Sequence, residues 1–250
     1  MCARFITFLP TLEEEDDLSG SAPASTKANI AALRKHAQLH RYAILLISEL
    51  LLILIYPFFG QLVSRDEVFQ LSGLIIFAAA FYSVLGRGTI TTIAFLLGAP
   101  AIVIRVTNIA AHTASVQLTD QILGLLFLSF ITVVLIWRIV SDPSVTTDML
   151  AGAISAYLLT GITFGLAYLL IEHLVPGSFR DTLEPGKRFV PSEFTFFSFI
   201  TLTTVGYGDI VPWSPYARSV AIIEAVIGII YPALLISRLV GLHGRKHDNV

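Results

Sequence analysis

Near the end of the chain, Thr201 to Pro212 read TLTTVGYGDIVP, and the chemistry they offer is that of the backbone. A peptide carbonyl is a strong acceptor, and several aimed at one axis replace the water around an alkali-metal cation. Aiming successive carbonyls the same way requires a backbone that alternates between right-handed and left-handed conformations. Glycine visits the left-handed one at little cost, and Gly206 and Gly208 are spaced for it. The carbonyls of Thr204, Val205, Gly206 and Tyr207, with the Thr204 hydroxyl at the inner end, then offer stacked layers of oxygen. Val205 and Tyr207 point away from the axis, where Tyr207 packs against the aromatics Phe196 and Phe197. Thr201, Thr203 and Asp209 flank and support the stack.

The chain around this stretch is that of an integral membrane protein. Of 250 residues 55% are hydrophobic and 14% charged, and the mean hydropathy is +0.77, far more apolar than soluble domains. A bilayer core needs about 20 apolar residues per helix. Six stretches meet that requirement: Tyr42 to Phe59, Val68 to Leu85, Thr91 to Ala111, Ile122 to Val140, Met149 to Leu174 and Tyr216 to Leu242. Breaks are expected at Gly60 to Glu67, Gly86 to Gly88, His112 to Gln121, Ser141 to Asp148 and Val175 to Pro191. Arg34, Lys35 and Arg41 precede the first span, Arg87 follows the second, Arg138 ends the fourth, and Arg245 and Lys246 follow the sixth. By the positive-inside rule both termini face the cytoplasm, and the compact chain suits a bacterial plasma (inner) membrane.

Between the fifth and sixth spans, PSEFTFFSFITLTTVGYGD is too short to cross and return as helix alone, so it is expected to be re-entrant. Ser192 reads as an N-cap and Glu193 sits at the positive end of a half-length helix, roughly Glu193 to Thr203. Non-helical backbone is tolerated at membrane depth only where protein buries it or water lines it, so TVGYG is expected to line an aqueous path. One strand does not surround an ion; four do, and a cyclic homotetramer is the simplest closed assembly. The expected architecture is an all-α membrane protein, six transmembrane helices with a re-entrant pore helix and selectivity filter between helices 5 and 6. Its parts are a cytoplasmic tail and juxtamembrane helix (1–41), a four-helix unit (42–140), a pore domain (149–242) and a short cytoplasmic tail (243–250).

At these residues the sequence resembles the potassium-channel signature Thr-x-x-Thr-x-Gly-Tyr-Gly, matched at Thr201, Thr204, Gly206, Tyr207 and Gly208. The resemblance extends from Ser192 to about Leu242, and covers the first four spans only in number and order. It implies a passive potassium-selective channel of the six-transmembrane, one-pore-loop superfamily, with K+ as permeant ion held by backbone carbonyls, membrane lipid and further copies of the chain as partners, and no other cofactor. Such channels bend their inner helix at a glycine about five turns beyond the filter aspartate, which here is Gly228; Pro232 follows, and Gly228 and Pro232 are read as a gating hinge or as a static kink. Voltage sensing needs several charges in the field, each worth ~2.3 kcal/mol per 100 mV. The fourth span carries only Arg138, so a leak-like or weakly voltage-dependent conductance is expected. A weakly selective cation pore and a non-conducting regulatory subunit are the alternatives.

Ionisable residues within spans mark functional candidates. Glu49 and Arg105 are expected either to pair or to stand apart. Two roles are open to Glu224: hydrogen bonding behind the filter to pore-helix or fifth-span hydroxyls, or attracting cations in the cavity. Ile200 replaces the pore-helix glutamate that braces the filter aspartate in some relatives, so Asp209 needs another partner or faces water. His36 and His40 stand one turn apart on a helix over Lys27 to Arg41, facing lipid headgroups or a metal, and Glu172 and His173 end the fifth span. Cys2 is the only cysteine, which leaves no intrachain disulfide and no cysteine-based metal site. No nucleic-acid footprint is visible, and no nucleophile, carboxylate pair or phosphate-cradling loop argues for an enzyme.

Overall fold

A computed structural model describes residues 41–59, 65–86, 88–111, 113–141 and 146–247. The expected tail and juxtamembrane helix, with His36 and His40, lie outside the described residues except for Arg41, as do the last three residues of the chain. Tyr42–Val250 form one unit. Its helices are α1 (Arg41–Phe59), α2 (Arg65–Val84), α3 (Thr89–Ala111), α4 (Ala114–Ser141), α5 (Thr147–Leu174), α6 (Pro191–Leu202) and α7 (Pro215–His247). Two three-residue strands, β1 (Phe179–Asp181) and β2 (Ile210–Pro212), flank α6 in the chain. They pair antiparallel, Phe179 opposite Pro212 and Asp181 opposite Ile210, so the fold is helical with one small sheet that the sequence did not announce.

Helices stand at all six expected places, but four of them, α3, α4, α5 and α7, are long and apolar enough to cross a membrane among the described residues. The apolar part of α2, Gln70–Val84, is shorter. The largest boundary correction is at α4, which starts at Ala114 instead of Ile122. The stretch His112 to Gln121 looked like a loop because it is polar, yet Asp120 is buried within the helix because a cation meets it there. Helix α5 starts where Thr146 accepts the Met149 N–H at 3.1 Å, a side-chain cap for an otherwise orphaned donor.

The main core lies between α2, α4 and α5, where Phe77, Phe127, Leu128, Ile131, Leu135 and Leu159 are buried. A second cluster of Tyr168, Phe179, Phe194, Phe197, Ile210 and Ala217 joins α5, α6, α7 and the sheet. Large apolar residues on the outer faces remain exposed, among them Leu96, Val103, Val133, Ile222, Ile229 and Leu234. That distribution fits a protein whose surroundings are lipid or further protein and not water.

Candidate functional site

Helix α6 is half the length of a span, and its start differs in detail from the expected one. Pro191 is the first helical residue and Val190 the N-cap, so Ser192 lies inside the helix. Proline fits there because its missing N–H would be unsatisfied anyway. Glu193, at the third position, reaches back to accept the Val190 N–H at 2.9 Å and takes the Lys187 ammonium at 2.7 Å. The helix ends at Leu202 with Thr203 as C-cap, its N–H donating to Phe199 O at 3.0 Å.

Beyond that cap the backbone turns over on itself. Val205 and Gly206 both donate to Ile200 O, at 2.8 and 3.2 Å, and Thr204 N–H donates to Thr201 O at 3.0 Å. Left-handed φ recurs at alternate residues, 61° at Thr204, 56° at Gly206 and 77° at Gly208. Gly206 and Gly208 occupy the positions the sequence assigned them. Thr204 is a third such position, and a non-glycine there costs about 1–2 kcal/mol; its residue type conceals it, although counting back by two from Gly206 reaches it. Thr201 and Thr203 spend their hydroxyls on Phe197 O and Phe199 O, at 2.8 and 2.6 Å, within the helix. Val205 and Tyr207 are 53% and 71% exposed on a single chain. Tyr207 stacks with Phe196, centroids 6.3 Å apart and planes 14° apart. Phe197 does not join it: it is buried on another face of α6, edge-on to Tyr168 at 5.0 Å and to Phe179 at 5.5 Å.

Behind α6 lies a buried polar cluster. Glu224 of α7 is fully buried; its Oε2 accepts the Tyr168 hydroxyl at 2.5 Å and its Oε1 meets the Ser198 hydroxyl. Ser198 Oγ also lies 2.6 Å from Gly161 O, so one hydroxyl proton faces two acceptors. A neutral Glu224 donating from Oε1 to Ser198, while Ser198 donates to Gly161 and Tyr168 to Oε2, satisfies all three contacts. Ser198 of α6 and Tyr168 of α5 are hydroxyls of the two segments the sequence offered as partners for Glu224, and the cluster is the first of the two roles left open to it.

Helix α7 runs unbroken in secondary structure through Gly228 and Pro232. A Cβ on Gly228 would collide with Leu202 O, so this glycine lets α7 touch the end of α6. Leu202 O also receives the Tyr157 hydroxyl at 3.3 Å, and Tyr157 stacks on Tyr231 at 5.7 Å.

The link between α5 and α6 is ordered by carboxylates. Glu172 accepts the N–H groups of Gly177 and Phe179, at 2.9 and 3.1 Å. Asp181 Oδ1 accepts those of Leu183 and Glu184, at 2.8 and 2.9 Å. These bonds, first that from Glu184 and then that from Leu183, hold the Asp181 carboxyl below the usual aspartate range, while the hydrogen bond to Glu193 raises Lys187 above an ordinary lysine. Asp209 Oδ1 is buried with no hydrogen-bond partner among the described residues, and the Asp209 carbonyl takes the Thr182 N–H at 2.8 Å.

Arg105 and Glu49 do not pair. Arg105 Nε and Nη2 donate to Asp120 Oδ1 and Oδ2, at 3.0 and 3.3 Å, and Asn108 donates to Asp120 Oδ2 at 3.1 Å. The guanidinium lies 4.5 Å from the Phe77 ring centroid. Asp120 won because α3 and α4 are adjacent helices of one hairpin, and a forked guanidinium meets a carboxylate with two bonds. Glu49 is fully buried beside Ser155, whose hydroxyl also lies 3.4 Å from Tyr42 O. Arg138 reaches Ser83 O and Val84 O, both at 3.4 Å, at the end of α2. Among the described residues no group of histidine, cysteine and carboxylate side chains is placed to hold a metal.

Comparison with known proteins agrees with this geometry. Residues 156–242 match the family model described as ion channel. Over 78 residues the chain is 37% identical to the inward rectifier potassium channel Kirbac3.1 of Paramagnetospirillum magnetotacticum, covering 30% of this chain and 22% of that one. It is 37% identical over 75 residues to the potassium voltage-gated channel protein shk-1 of Caenorhabditis elegans, covering 29% and 14%. With two pore potassium channel c of Oryza sativa subsp. japonica it shares 35% over 85 residues, covering 34% and 17%. The chain thus spans less than a quarter of each of these relatives. No solved structure matches significantly. The segment 156–242, from α5 through α6 into α7, is thus similar to an ion-channel domain, and the relatives it matches are potassium channels by name.

Proposed function

We propose that this protein is a potassium-selective channel that conducts K+ passively through a filter formed by Thr204, Val205, Gly206, Tyr207 and Gly208. The observation that carries the reading is the alternation of left-handed φ at Thr204, Gly206 and Gly208 immediately beyond a half-length helix. That alternation is the backbone requirement for aiming consecutive carbonyls at one axis. The C-terminal end of α6 adds its negative dipole toward a cation.

A homotetramer completes the coordination shell. The exposure of Val205 and Tyr207, and of Ile222, Ile229 and Leu234 along α7, supports the presence of further copies. The chain crosses a bacterial plasma membrane six times with both termini cytoplasmic, which puts the α5–α6 link outside. Gly228 and Pro232 serve as the hinge of the inner helix. Helix α4 carries a single arginine, Arg138, engaged with the end of α2, which supports weak or absent voltage dependence. Glu224 tunes the filter from behind, and Glu49 and Arg105 act within the peripheral helices.

The test is flux from liposomes holding the purified full chain. Barium-sensitive potassium flux with little sodium flux is expected. Sodium passing as readily assigns a weakly selective pore, and absence of flux assigns a non-conducting membrane subunit; either overturns the proposal.

A further inference from the structure

The turn after β1 reaches the end of the filter. Thr182 N–H donates to the Asp209 carbonyl at 2.8 Å, and its hydroxyl lies 2.9 Å from Gly208 O and 3.2 Å from Asp209 O. Gly208 has φ 77° and open space where a Cβ would stand. With no side chain and no neighbour to block it, the peptide that follows is held chiefly by what bonds to its carbonyl.

Thr182 is itself fixed from both sides. The register of β1 on β2 sets Asp181 opposite Ile210, and Asp181 Oδ1 closes the turn over Leu183 and Glu184. Lys187 then joins Asp181 at 3.7 Å to Glu193 at 2.7 Å, and Glu193 accepts the N–H of Val190, the N-cap of α6. One short link therefore holds both the start of the pore helix and the last peptide of the filter.

We propose that Thr182 is a positioning residue for ion conduction, its hydroxyl fixing the Gly208 carbonyl and thereby the peptide that adjoins the Tyr207 carbonyl at the outer end of the oxygen stack. The proposal rests on the channel reading above. When few ions occupy the filter, carbonyl repulsion favours rotation of the outermost peptide, and the Thr182 hydroxyl opposes it. A serine keeps the hydroxyl; a valine keeps the shape and loses it.

Wild type, Thr182→Ser and Thr182→Val are reconstituted as full chains, and potassium flux is measured against external potassium. The Ser variant is expected within about twofold of wild type in the potassium concentration giving half-maximal flux. The Val variant is expected to raise that concentration about three- to tenfold, the loss of one hydrogen bond, with unchanged subunit number and thermal midpoint. An unshifted curve for Thr182→Val, or equal shifts for Ser and Val, overturns the proposal. Where Val prevents assembly, Thr182→Ala is read in its place with the same outcomes. Wild type without potassium flux defeats the channel reading, and this inference with it, whereas normal wild-type flux with an unshifted variant defeats this inference alone.

Discussion

Glu224 shows how a single proton decides a residue's role. Tyr168 and Ser198 meet its two oxygens, and Ser198 has already a carbonyl to satisfy. Glutamine presents one donor and one acceptor in the same outline as a protonated glutamate. Glu224→Gln is therefore expected to keep single-channel conductance within about twofold of wild type, while Glu224→Ala, which leaves Tyr168 and Ser198 facing a void, lowers active-channel yield about tenfold or more, a difference of about 1.4 kcal/mol per decade. A conductance drop in the Gln variant as large as in the Ala variant contradicts this and favours a charged, cavity-facing carboxylate. Outside the span, Asp181 has a folded pKa below its unfolded value of about 3.9. Its contribution to the α5–α6 link is complete above about pH 4 and is lost as external pH falls through the lower, folded value. Potassium dependence measured at external pH 5 and 7 should then coincide as far as this link is concerned, and Asp181→Asn should reproduce at pH 7 the behaviour of wild type in stronger acid. The polar spot at Glu224 was legible in the sequence because an ionisable residue within a span is conspicuous. Its partners were legible as hydroxyls of the neighbouring segments but not as Tyr168 and Ser198 individually, and Thr182 was not legible, since a threonine in a polar link has no local signature.

At the scale of elements, two contacts set how helices meet. Arg105 and Asp120 tie α3 to α4 in a buried pair. Removing one member leaves the other charged and unmatched, which costs about 3–5 kcal/mol. Asp120→Ala is expected to lower the thermal midpoint sharply, and the Arg105→Ala, Asp120→Ala double variant to lose less than the two single losses added; strict additivity would show that the residues do not interact. Gly228 meets Leu202 so closely that a methyl group requires α6 and α7 to separate. Overpacking of this kind costs about 1–3 kcal/mol, so Gly228→Ala should lower tetramer yield by size-exclusion chromatography; unchanged yield with altered opening would assign Gly228 to hinge motion alone. Span periodicity and turn residues made most helices legible to within a few residues. The exceptions have physical causes. Asp120 made the start of α4 read as loop because its partner lies in α3, and Val190 replaced Ser192 as N-cap because Pro191 already takes the first helical position, where its fixed φ favours the turn.

At the scale of the molecule, one chain leaves the side chains of Val205 and Tyr207 exposed. The composition made long apolar helices legible, and TLTTVGYGD made the alternating left-handed backbone legible at Gly206 and Gly208, because the two glycines stand two residues apart in the sequence. The small sheet was hidden, because three-residue strands lack the alternating pattern that marks longer ones. In the proposed function several copies meet so that peptide oxygens replace the water around an ion. The most direct test of that claim is the reversal potential of reconstituted channels with potassium on one side and sodium on the other. A reversal potential that follows the potassium gradient is the predicted result; one near zero at equal concentrations, with sodium carrying comparable current, would contradict the account.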